Sequence, residues 1–139
     1  ELAQNPAVNS WVREQAILSL LVKHVWGECT RDQLVNHLRD ISAHLGPDTD
    51  PFVGAGFVGA ICDLHLTELL PEVRAAFSNG CVDIEMAGDL ETVEAELTDT
   101  PSGRHRQSPA AKRIAEFKER YCPIDAVEVC SQWACFRDE

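Results

Sequence analysis

The residues with the most chemical potential in this sequence are histidines, cysteines and carboxylates at helical spacing. His37, Asp40 and His44 stand at i, i+3 and i+7, positions that project within about 60° of one another on a helix. Two imidazoles and a carboxylate could hold a divalent metal or act as an acid–base pair. Cys62 and His65 share a face at i, i+3 with Asp63 beside them, which offers metal ligands or an activated thiol. Both groups have a plainer explanation. The first is the polar flank of a surface helix. The second is a buried thiol next to a satisfied histidine. The expectation is therefore no metal, no cofactor and no catalytic residue.

Gly54-Ala55-Gly56-Phe57-Val58-Gly59 matches Gly-x-Gly-x-x-Gly. In a dinucleotide fold such glycines permit a tight turn and close approach of a pyrophosphate. That loop should follow a buried strand, whereas Gly46-Pro47-Asp48-Thr49-Asp50-Pro51 precedes it here. An acid should end a second strand about 20 residues further on. The helical Glu72-Val73-Arg74-Ala75-Ala76-Phe77 occupies that region. The nucleotide reading fails on context. Cys122, Cys130 and Cys135 lack the paired knuckles of a structural zinc site. Trp11, Trp26 and Trp133 read as core or helix-junction packing.

The net charge of −11 over 139 residues argues against nonspecific binding to a phosphate backbone. No apolar run reaches the roughly 18 residues of a membrane span. Six scattered cysteines suit reduced, mostly buried thiols, so a cytoplasmic protein is expected, with no nucleic acid and no membrane as partner. Residue 1 is Glu and the only methionine is Met86, so a further helix is expected upstream.

The elements that must carry these groups are helices. Ser10 is placed to cap the first, with Ala16, Ile17, Leu20, Leu21 and Val25 on its apolar face and Arg13, Glu14 and Lys23 elsewhere. Gly27 ends it. Thr30 and Gln33 have capping-box spacing at the start of a helix over 30–45, with Leu34, Leu38, Ile41 and Leu45 as its stripe. Asp50 caps a third helix with Pro51 at its first position. Its three glycines each cost about 1 kcal/mol relative to alanine, a cost that close helix–helix approach at Gly56, Gly59 and Ala60 would offset. Thr67 caps a fourth helix that tolerates Pro71 in its first turn and ends at Asn79-Gly80. Cys81 to Gly88 reads as a connection, and Asp89 caps a short acidic helix with Leu90, Val93 and Leu97 inward.

Residues 98–108 form a polar linker between a core over 1–97 and a carboxy-terminal part over 109–139. That part holds a charged helix with Ile114, Phe117 and Tyr121 as its stripe, and a docking helix near 125–136. Residues 81–99 hold seven acids and no base, while 104–120 hold six bases against Glu116 and Glu119. Solvated helix faces explain both stretches, with exposed pairs between them contributing only about 0–1 kcal/mol each, and the functional alternative is a basic arm offered to an acidic partner or nucleic acid.

Asn5-Pro6, followed by Val12-Arg13, Ala16 and Leu20, resembles the second helix of a HEAT-type repeat. Over residues 10–136 the run Asp63-Leu64-His65-Leu66-Thr67-Glu68-Leu69-Leu70-Pro71-Glu72-Val73-Arg74-Ala75-Ala76-Phe77, then Gly80-Cys81-Val82-Asp83 and Gly88-Asp89-Leu90-Glu91, resembles a bacterial family of HEAT-like helical proteins of uncharacterised function. The resemblance implies a fold and offers no catalytic residue. Some members end in a Cys-rich metal motif. This chain has no paired Cys-x-Cys ending, so that feature is not carried over.

The expectation is an all-α, HEAT-like stack of about six helices. The expected function is a non-enzymatic module that meets an unidentified protein partner through a polar or acidic surface such as the one bearing Glu91 and Glu94. The alternative is a metal-dependent or acid–base enzyme built on His37, Asp40 and His44, or on Cys62 and His65. A third reading is a homodimer formed through an apolar flank.

Overall fold

Five of the seven described α-helices start where a short polar side chain accepts a backbone N–H that the helix itself leaves unpaired. In the computed structural model, which describes residues 2–98 and 110–121, Asn9 caps α1 (Ser10–Val25) through the Trp11 N–H. Thr30 and Gln33 form a reciprocal capping box on α2 (Arg31–Ser42). Asp50 caps α3 (Pro51–Asp63), whose first turn holds Pro51. Asp83 caps the single turn α5 (Ile84–Ala87) and Asp89 caps α6 (Leu90–Leu97). A 3-10 turn over Thr67–Leu69 leads into α4 (Leu70–Ser78), and α7 spans Ala110–Tyr121. No strand occurs among the described residues. The linker from residue 99, the expected helix near 125–136, Cys122, Cys130, Cys135, Trp133 and the side chain of Tyr121 lie outside them.

Three boundary expectations need correcting. The cap of α1 is Asn9 rather than Ser10, because the Asn9 amide oxygen takes the Trp11 N–H at 2.9 Å. The Ser10 hydroxyl instead donates to the Asp50 carboxylate and ties the start of α1 to the start of α3. Thr67 makes no side-chain cap, since the chain enters α4 through a 3-10 turn. The stretch 81–88 is not all connection: α5 is a helical turn too short to show a periodicity.

The core is built around α3. Val53, Phe57 and Ile61 on it are fully buried. Ile17 and Leu21 of α1, Leu34 and Leu38 of α2, Leu69 and Val73 around the start of α4, and Val93 and Leu97 of α6 belong to the same cluster. Helices two apart in sequence pack on each other, α1 on α3, α3 on α5, α2 on α4, and α4 on α6, and α1 also packs on α2 and on α7.

Glycine supports this packing unevenly. A Cβ at Gly54 would stand 1.7 Å from the Cys81 carbonyl oxygen, and one at Gly56 would stand 2.5 Å from Glu14 Cγ. At Gly59 a Cβ would meet nothing within 4 Å. Close approach therefore explains Gly54 and Gly56 and not Gly59.

Arg13 was expected on the polar side of α1, yet it is only 4% exposed. Its Nε donates to the Ala3 carbonyl at 2.9 Å, so the buried charge has a polar partner, as it must. Trp11 and Trp26 were expected in the core or at helix junctions and are not core residues: they are 65% and 51% exposed. Trp11 meets the Phe52 ring at a centroid distance of 4.8 Å, and Trp26 lies under Lys118 Nζ. Both rings sit where helices join.

The carboxy-terminal end of α3 is fixed by hydrogen bonds to its carbonyls. His65 takes a left-handed conformation with φ of 51°, a region His enters more readily than most side chains. The Leu66 N–H reaches back to the Ile61 carbonyl at 2.9 Å and the His65 N–H to Cys62 at 3.1 Å, the two bonds of a Schellman ending. Arg31 Nη2 donates to the His65 carbonyl at 2.9 Å, and Arg113 Nη1 donates to the Cys62 carbonyl at 2.5 Å. Two cations therefore face the negative end of the α3 dipole. Arg31 also forms a two-pronged pair with Glu68, at 2.7 and 2.9 Å. That pairing holds the Glu68 carboxyl below its ordinary range.

Candidate binding groove

One side of α3 faces a groove of about 340 Å³. Its floor is made of small α3 residues, among them Ala55, Gly56, Gly59 and Ala60. Glu14 and Leu18 of α1 form one wall, Met86 of α5 and Glu96 of α6 the other, and Arg120 of α7 stands at the edge. Gly59 leaves room above the floor, whereas Gly56 is already covered by the Glu14 side chain, and the walls supply the charge.

Among the described residues the lining holds three carboxylates, Glu14, Asp63 and Glu96, and one guanidinium, Arg120. Glu96 is 8% exposed, although the sequence places it in a stretch of acids read as a solvated face. Its spacing from Val93, three residues earlier on the inward stripe, is the signal that could have marked it. The acidic stretch 81–99 and the basic stretch 104–120 meet here, through Glu96 and Arg120. The low dielectric beside a buried carboxylate strengthens its interaction with any cation that reaches it.

The candidate residues read from spacing lie elsewhere or apart. His37, Asp40 and His44 are all exposed on α2, and His44 Nδ1 is 2.8 Å from the Asp40 backbone carbonyl. Cys62 is buried and lines the groove through α3, while His65 is half-buried past the helix end. Among the described residues no three His, Cys, Asp or Glu side chains converge as a metal site would require. Glu91 is exposed. Glu94 is partly buried and pairs with Arg74 Nε at 2.6 Å, so one of the two acids expected on the contact surface is already engaged within the fold. The Gly-x-Gly-x-x-Gly run lies inside α3, where its backbone N–H groups belong to the helix. The thiols of Cys29 and Cys81 are both raised, chiefly by burial, the opposite of what a nucleophile needs.

No helix among the described residues is long and apolar enough to cross a membrane. No curated protein and no solved structure matches the sequence. A family model does, over residues 1–137, and the chain thereby belongs to the family described as protein of unknown function (DUF1186).

Proposed function

We propose that this chain is a non-enzymatic, HEAT-like interaction module whose groove receives a basic segment of a protein partner. The observation that carries the reading is the groove over Gly59, open at its floor and lined, among the described residues, by Glu14, Asp63 and Glu96 beside Arg120. Open space next to excess negative charge is complementary to an extended lysine or arginine side chain. Packing between helices two apart supports the repeat-like part of the proposal, because stacked helix pairs contact their neighbours in that way. The net negative charge of the molecule, −11, would steer a basic partner toward it.

The test is fluorescence anisotropy with a labelled hexa-arginine peptide at physiological salt. Glu14→Gln is expected to weaken binding about fivefold, the scale of one partly exposed ion pair. Glu85→Gln changes the net charge equally at an exposed position outside the groove and is expected to have little effect. Equal losses from the two variants would mean that diffuse charge alone holds the peptide, and the groove would drop out of the explanation.

A further inference from the structure

We infer that Gly56 is a positioning residue of the groove: its missing side chain lets Glu14 lie across α3, and this seat, with a hydrogen bond from Gln15, sets the carboxylate that meets the partner's cation. The inference rests on the groove reading above and names what holds its binding group in place.

The seat is decided where α1 packs on α3. A Cβ at Gly56 would stand 2.5 Å from Glu14 Cγ, 3.5 Å from its Cβ and 3.6 Å from its Cδ. Non-bonded carbons rest at about 3.5–4.0 Å from one another, so the overlap with Cγ alone is prohibitive. That atom lies in the middle of the side chain, and Glu14 cannot relieve the overlap by moving only its tip. On a helix a glutamate has two common χ1 settings. Leaving the one over Gly56 carries the carboxylate to a different place in the lining it shares with Gly59 and Met86.

The carboxylate is turned by a neutral group. Gln15 Nε2 donates to Glu14 Oε2 at 2.6 Å, a bond that orients the carboxylate without cancelling its charge. Asp63 and Glu96, the other acids of the lining, interact with further groups of the chain. A carboxylate already set in place binds a cation without first losing side-chain freedom, which favours affinity. The three glycines of the run over Gly54 to Gly59 then have three separate roles on one helix. Gly54 admits the Cys81 backbone, Gly56 seats Glu14, and Gly59 leaves the floor open.

A double-mutant cycle on the whole chain, read by anisotropy of labelled hexa-arginine peptide, tests the inference. Gly56→Ala keeps the net charge and every acid of the groove, so diffuse electrostatics cannot account for a loss. It should weaken binding about threefold to fivefold, the scale of one misplaced, partly exposed ion pair. In the Glu14→Gln background it should weaken binding no further. Gln15→Ala, at an exposed position, removes the orienting bond without crowding α3. It should weaken binding about twofold with Glu14 present and not at all in the Glu14→Gln background. A loss from Gly56→Ala that persists in that background means that Gly56 acts on the fold alone, and the inference is overturned. Wild-type affinity in Gly56→Ala overturns it equally. Should Gly56→Ala fail to fold, Gln15→Ala decides by the same two criteria. In each of these cases Glu14→Gln by itself still weakens binding, and the groove reading stands. If Glu14→Gln has no effect, both readings fall.

Discussion

Gly54 and Gly59 belong to the same helix and to the same glycine motif, yet they meet opposite surroundings. At Gly54 the backbone of Cys81 presses so close that no side chain fits, whereas Gly59 faces open space. One side of α3 is closed by protein and the other is left unfilled. The difference separates two uses of a small residue that look the same in sequence. One permits the fold, by letting the 81–82 backbone cross α3. The other lowers helix propensity with no packing return in this chain, and that unreturned cost is what singles out the groove.

The largest expected effect breaks the closed side. Gly54→Ala should destabilise the protein by about 3 kcal/mol, the upper part of the range for overpacking a tight site. A lowered urea midpoint at unchanged slope would show it. A tolerated alanine would mean that the crossing is looser than 1.7 Å implies.

A middle-sized effect tests the clamp at the end of α3. Arg31→Ala removes the bonds to Glu68 and to the His65 carbonyl and should cost about 1 kcal/mol, less than for a buried pair because both side chains are part-exposed. Glu68→Gln tests the same clamp by pH. The folded carboxyl lies below its ordinary range because of Arg31. Its contribution is therefore complete above the unfolded value of about 4.3 and is lost as pH falls through the lower folded value. Wild type should lose stability over that acid range more steeply than Glu68→Gln, as thermal melts at stepped pH would reveal.

The smallest effect has the opposite sign. Gly59→Ala should stabilise the protein by up to about 1 kcal/mol, since alanine is the better helix former and its methyl meets nothing within 4 Å. Paired with reduced hexa-arginine affinity, that gain would sharpen the contrast between the two faces. A loss of stability would mean that the floor of the groove is occupied and that the two sides of α3 are alike.

Local signals were legible in the sequence, and convergent ones were not. The Thr30–Gln33 box, Asp50 before Pro51, Asp89, and Asn79-Gly80 act within a few residues, and each is found where spacing puts it. Asn9 and Ser10 are adjacent and both are able to cap, so only the direction of each side chain distinguishes them. Burial of Arg13 depends on the Ala3 carbonyl, ten residues away on a segment with no periodicity. The groove draws Glu14, Asp63, Glu96 and Arg120 from four separate helices, and no spacing rule spans that distance. His37, Asp40 and His44 show the converse: their spacing is good, and the helix face that carries them is exposed.

The crossing at Gly54 has one more consequence, through the residue that makes it. Cys81 has a fully buried side chain whose thiol donates to the Ala76 carbonyl at 3.3 Å, and burial raises its pKa. An alkylating reagent can reach that sulfur only after the structure around it opens. Cys29, half-buried near the end of α1, needs no such event. The lag between the two modifications is a clock for how often the surroundings of Cys81, next to the central helix, come apart.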